Sequence, residues 1–117
     1  MQINQSMEDG IIIYTLDGKM LGGPDSNKLL EMIHQQIESE HMQFIVDLEN
    51  VKWVNSSGLG VLINILNVAR QNSAALIIIH ASDQVVKMMK ITRLDRIFRI
   101  TDNLESAKSL ILNPPAN

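Results

Sequence analysis

Two adjacent hydroxyls stand between two apolar runs in "VKWVNSSGLGVLINIL", residues 51–66. Serines beside glycines at such a junction suit four roles. They can supply a nucleophile, cradle a phosphate, accept a phosphoryl group, or simply start a helix. A hydrolase elbow needs G-x-S-x-G, whereas the order here is N-S-S-G-L-G, with no glycine two residues before either serine. A triad also needs a positioned base. Nothing in the sequence aims His34, His41 or His80 at Ser56. A dinucleotide fingerprint needs a third glycine, and Ile63 occupies that place after Gly58 and Gly60. No G-K-[ST] follows a glycine-rich loop anywhere. His34 and His41 lie seven residues apart without carboxylates in a ligand pattern, so no metal or other cofactor is expected. The chain reads as a binding protein, not an enzyme.

A helix start accounts for part of the pattern. Asn55, Ser56 or Ser57 can each accept a backbone N–H at an N-cap. It leaves the glycines unexplained. Each glycine in a helix costs about 0.5–1 kcal/mol relative to alanine, so something must need the absent side chains. A partner approaching the backbone closely would. A phosphoryl group on Ser56 would also sit beside unpaired N–H groups at the positive helix end.

Projected at about 100° per residue, this helix sorts its side chains cleanly. Gly60, Asn64, Asn67 and Gln71 form a narrow stripe, with Ser56 and Ser57 at its N-terminal end. Leu59, Leu62, Leu66 and Ala69 face the other way, and Val61, Ile65 and Val68 widen the apolar side. Ile63 falls near the polar edge and is expected to be exposed. No lysine or glutamate occurs between Asn55 and Ala69. A strip without charge suits docking against another protein, because little charge must be desolvated. The other reading is a helix largely covered by its own domain. The docking set is Asn55, Ser56, Ser57, Gly58, Gly60, Ile63, Asn64 and Asn67.

The elements that must hold this helix are legible in outline. Residues 2–6 and 11–16 read as strands joined by "EDG", since Asp-Gly tolerates a tight hairpin turn. Asp17-Gly18 ends the run "IIIYTL". "GGPD" is a loop, with Asp25 or Ser26 as helix cap. Leu29, Leu30, Ile33 and Ile37 predict a helix over about 26–40. "FIVDL" (44–48) and "ALIIIH" (75–80) are buried strands. "EN" is a turn, and "VKWV" leads to the serines. Ser82 caps a helix to about 91, "RIFRI" is a last strand, and 102–112 a last helix stopped by Pro114-Pro115. Residues 113–117 form a tail. This alternation predicts an α/β domain with a mixed sheet of four to five strands and about four helices.

The chain has 117 residues, which suits one domain. Its apolar share of 45 % supports one core, and only 3 % aromatics makes that core aliphatic. A net charge of −3 argues against nucleic acid as a partner. With no cysteine, a disulfide scaffold and a thiolate nucleophile are excluded. No leader is visible, and no apolar run approaches a membrane span, so a cytoplasmic location is expected. Lys87, Lys90, Arg93, Arg96 and Arg99 make 83–102 locally basic, offset by Asp83, Asp95 and Asp102. That segment reads as a solvated face.

The stretch "FIVDLENVKWVNSSGLGVLINILNVAR" resembles the core of STAS-domain proteins, in particular bacterial anti-sigma factor antagonists. Their pattern is an apolar strand ending in Asp-Leu, a short link, then Asp-Ser-Ser/Thr-Gly-Leu-Gly opening a helix. "IIIYTLDGKM", "VVKMMKITRLDRIFRI" and "ESAKSLI" resemble flanking parts of the family. The resemblance implies a non-enzymatic switch. The unphosphorylated antagonist binds an anti-sigma factor that is also a serine kinase of the histidine-kinase-like ATPase fold, and so frees a sigma factor. The kinase phosphorylates the serine aligned with Ser56, and a PP2C-type phosphatase resets it. Two residues depart from the pattern: Asn55 replaces the acidic residue, and Arg93 stands where "LTGLD" has glycine. The alternative within the family is a constitutive STAS adaptor of a transport or signalling assembly, without phosphorylation.

Overall fold

The structure is a computed structural model that describes residues 1–114, without the side chains of Asp25 and Ser26. Strand β1 (Gln2–Glu8) returns as β2 (Ile11–Met20) through a two-residue turn. Asp9 and Gly10 both have positive φ, at 53° and 79°, as the favoured hairpin turn demands. Helix α1 (Pro24–Glu38) leads to β3 (Gln43–Val54), α2 (Ser56–Gln71) to β4 (Ala75–Ile79), and α3 (Asp83–Ile91) to β5 (Arg99–Thr101). Helix α4 (Leu104–Leu112) follows. The sheet order is β1-β2-β3-β4-β5, with only the β1–β2 pair antiparallel. This is the mixed α/β sheet expected from the alternation of elements.

The two faces of the sheet are filled unequally. Leu29 and Ile33 of α1, Leu62 and Ile65 of α2, and Val85 and Met89 of α3 pack with Tyr14, Phe44, Val46 and Ile78. On the other face, Ala107 and Ile111 of α4 cover Ile11, Ile13, Ile45, Ile77 and Ile79. The larger core is aliphatic apart from a few rings, of which Tyr14 and Phe44 stack at 6.3 Å between centroids. Tyr14 is fully buried, and its hydroxyl has no hydrogen-bond partner among the described residues. Burial pushes its pKa up to about 12, because a phenolate would lose its hydration there.

Four boundaries differ from the sequence reading. Asp17-Gly18 is not a turn. It lies inside β2, where the pairing with β3 shifts register between Thr15 and Asp17 and again between Gly18 and Lys19. Nor is "EN" (49–50) a turn, because β3 runs unbroken to Val54. Pairing between the two long strands overrides the local turn preference, and the shifts absorb the irregularity. Helix α1 begins at Pro24 behind Gly23, so Asp25 and Ser26 are not at its N-cap. Proline at the first helical position already has the φ that the turn needs. Strand β5 also starts late, at Arg99, because Arg93 takes the left-handed φ of 61° and Leu94–Arg96 form a 3₁₀ turn. A positive φ explains why a related pattern would carry glycine at that place. The expected tail is described only at Asn113 and Pro114, and Pro115 lies outside the described residues.

Candidate functional site

The site is built at the far end of the β2–β3 ribbon. Met20 pairs with Val54, so the two strand ends arrive together and α2 starts directly behind them. Asn55 is the N-cap. Its Oδ1 accepts the Gly58 N–H at 2.8 Å, and its C=O accepts the Leu59 N–H at 2.9 Å. Its own N–H donates to the Met20 carbonyl at 3.3 Å. Of the three cap candidates, Asn55 is therefore the one used, and the hydroxyls of Ser56 and Ser57 are left for other work. Both serines are exposed. The first turn carries no acidic residue, so the positive helix end is not already neutralised from within.

The two glycines of this turn have different reasons. A Cβ on Gly58 would collide with the Met20 carbonyl oxygen and crowd the Met20 side chain. Gly58 is buried, and its missing side chain serves the fit between α2 and β2, not a partner. Its place in the docking set is thereby corrected. A Cβ on Gly60 would meet nothing within 4 Å. Gly60 opens outward, in line with Asn64 and Asn67, which are exposed. Ile63 is half-buried and packs on the core, against the expectation that it would be exposed. Its β-branched bulk leans onto its neighbours and leaves only an edge at the strip.

The structure adds residues that the sequence reading passed over. Gly22, with φ 85°, abuts Ser57, where a Cβ would stand 2.8 Å from the Ser57 Cβ. The loop before α1 thus forms one wall of the site. Leu21, 45 % exposed, follows Met20, and Trp53, 50 % exposed, precedes Val54, so both stand at the same ribbon end. An apolar pair beside an uncharged polar strip is the composition of an interface core. The Gly-Gly pair before Pro24 was the signal for the loop. Trp53 lies in "VKWV", which in sequence only leads to the serines.

His80 does not serve Ser56. It sits just past β4 and its Nδ1 lies 3.0 Å from Asp47 Oδ1 and 3.8 Å from Glu49 Oε2. Asp47 is paired with Ile79 at the last β3–β4 position, seven residues before Val54. At ~3.3 Å per residue that is about 23 Å of strand, too far for a general base. Asp47, Glu49 and His80 offer ligand atoms within 4.8 Å of one another, a grouping invisible to sequence spacing because His80 is 33 residues from Asp47. Asp47 Oδ1 is held by His80 and by the Glu49 backbone N–H, which donates to it at 2.9 Å.

The STAS domain family matches residues 2–107 of this chain. The chain belongs to the STAS domain family. A curated relative, an anti-sigma-B factor antagonist of Staphylococcus aureus, is 33 % identical over 60 residues. That match covers 51 % of this STAS chain and 56 % of the relative, so the chain spans about half the length of the curated relatives it matches. A crystallised Thermotoga maritima protein superposes with a TM-score of 0.85 at 18 % identity, covering 95 % of each chain. The Bacillus cell fate determinant SpoIIAA, solved in its phosphorylated form, gives 0.73 at 15 % identity, over 96 % of this chain and 100 % of that one. At such identities these two likenesses establish the STAS fold. No helix among the described residues is long and apolar enough to cross a membrane.

Proposed function

We propose that this STAS chain, residues 1–117, acts as one domain and is an anti-sigma factor antagonist. It binds an anti-sigma factor through the rim and outer strip of α2, and phosphorylation of Ser56 breaks that contact. One observation carries the reading. Ser56 is exposed in the first turn of a helix whose cap is supplied by Asn55, and an uncharged exposed strip continues from it. The docking residues are Asn55, Ser56, Ser57, Gly60, Asn64 and Asn67, with the edge of Ile63 and the flanking Leu21 and Trp53. A relative named as an anti-sigma-B factor antagonist supports the partner class, and a fold neighbour solved in phosphorylated form supports the chemistry.

The partner is a serine kinase of the histidine-kinase-like ATPase fold. Its step transfers the γ-phosphoryl group of ATP to Ser56 Oγ. The new Oγ–P bond forms as the bond to the β-phosphate oxygen breaks, and ADP leaves. The hydroxyl proton needs a base. Asn55 is an amide with its Oδ1 held by Gly58, so the kinase must supply that base. The product adds about −1.5 to −2 charges beside the helix N-terminus. Those charges are favourable for the domain itself, so the fold persists. They are unfavourable for the complex, which would have to desolvate or pair them. A PP2C-type phosphatase restores the serine by adding water across the ester and releasing inorganic phosphate. Exchange with ATP places the encounter in the cytoplasm.

Mass spectrometry after incubation with ATP and the cognate kinase tests the switch. One phosphoryl group is expected on the native chain and on Ser57→Ala, and none on Ser56→Ala. Labelling retained in Ser56→Ala would move the site elsewhere. Asn55, in place of an acidic residue, favours a second reading, a constitutive STAS adaptor. Under it an active kinase leaves the chain unmodified while the partner still binds.

A further inference from the structure

A second site lies at the opposite end of α2. Arg70, in the last turn of that helix, meets Arg96 and Arg99 from the 3₁₀ turn and β5 around a cleft of about 490 Å³. Ser73 stands on the rim, and Leu76 and Ile97 are among the apolar lining. We propose that this cleft binds a small organic phosphate, its phosphate held by the three arginines and its apolar part laid against Ile97.

Four observations support this. Three arginines line the cleft, with no aspartate or glutamate among the described residues of the lining. None of the three forms an ion pair with a carboxylate among the described residues. Like charges gathered around one cleft repel, and in a chain of net charge −3 carboxylates were available to relieve them. The negative end of α2 accounts for a cation at Arg70, but not for Arg96 or Arg99. Guanidinium groups donate in a planar fork that matches phosphate oxygens. The volume falls within the ~300–1,000 Å³ of small-molecule sites. Finally, Ile97 is 44 % exposed beside the cationic rim, which a free inorganic anion would not cover but an organic phosphate would.

The locally basic segment that reads as a solvated face in sequence thus acquires a partner from α2. Arg70 lies 26 residues before Arg96, and only the β4–β5 pairing, with Ile77 beside Arg99, brings them to one cleft. The site is independent of the Ser56 switch, being at the other end of the helix.

Calorimetric titration of the full chain with phenyl phosphate, and separately with inorganic pyrophosphate, tests the proposal. Phenyl phosphate should bind saturably and at least about tenfold more tightly than pyrophosphate, a difference of about 1.4 kcal/mol. The exposed double variant Arg96→Glu/Arg99→Glu should lose that binding at least about tenfold while melting as the native chain does. Amide shifts in an NMR titration should fall at 70–77 and 96–99. The proposal is overturned by absence of saturable binding, by equal affinity for pyrophosphate, by binding unchanged in the double variant, or by shifts confined to residues 55–60. If the double variant unfolds, Arg70→Glu is read in its place, with the same two outcomes.

Discussion

Gly58 and Gly60 are two residues apart in one helical turn, yet they belong to different regions of the molecule. Gly58 looks inward and lets α2 sit on the Met20 carbonyl at the end of β2. Gly60 looks outward onto open space, at the head of the Asn64–Asn67 strip. The same residue type at nearly the same place therefore answers to folding in one case and, in the function proposed, to recognition in the other. A glycine cost in a helix is evidence that something comes close. It does not say whether that something is the protein's own chain.

Substitutions separate the two regions, and the inward side has the larger effects. Gly58→Ala should destabilise the domain by about 3 kcal/mol, since overpacking against backbone forces α2 away from β2. Urea denaturation measures it, and a change below about 0.5 kcal/mol, the range of neutral surface substitutions, would remove the close-packing explanation. Tyr14 gives the next effect. Its folded pKa of about 12 lies above the ordinary value of 10.0. Below pH 10 the folded and unfolded chains are both protonated there, and no stability is lost. Between pH 10 and 12 the unfolded chain releases the proton first, so stability falls by up to about 2–3 kcal/mol. Tyr14→Phe should abolish that part of the alkaline loss, as read from denaturation midpoints in the two proteins side by side.

Smaller effects belong to the rim. Asn55→Ala removes the cap accepted from Gly58 and should cost about 1 kcal/mol in thermal unfolding. Asn55→Asp should keep the stability, because a carboxylate accepts the same bond. Gly60→Ala should do the reverse of Gly58→Ala. With nothing to collide with, the methyl group raises helix propensity and stabilises by about 0.5–1 kcal/mol, while weakening partner binding. A destabilised Gly60→Ala would erase the contrast between the two glycines.

Periodicity made the outer face of α2 legible in the sequence: Leu62, Ile65, Leu66 and Ala69 are buried, and Asn64 and Asn67 are exposed. The strand–helix alternation was legible too, and the Ser82 cap is observed through the Val85 N–H, at 3.3 Å. What escaped depended on pairing between distant segments. Asp17-Gly18 reads as the end of the "IIIYTL" strand because local preference is all that a sequence window contains, while a long β3 partner carries the strand through it. The role of Gly58 required knowing that β2 reaches Met20. The Asp47–Glu49–His80 group and the Arg70–Arg96–Arg99 cleft both join elements that only the sheet order brings together. Ile63 was misplaced because a helical wheel assigns angle but not how far a side chain leans onto its neighbours.

In the function proposed, Ser56 is a charge switch at a docking rim. Its most direct test is the affinity of the cognate anti-sigma factor kinase, by calorimetry, for the unmodified chain and for the chain phosphorylated at Ser56. The unmodified form should bind, and the phosphorylated form should bind more than about tenfold more weakly, since a charge seated without a partner costs several kcal/mol and about 1.4 kcal/mol is a factor of ten. Equal affinity for the two forms, with the fold of both intact, would contradict it.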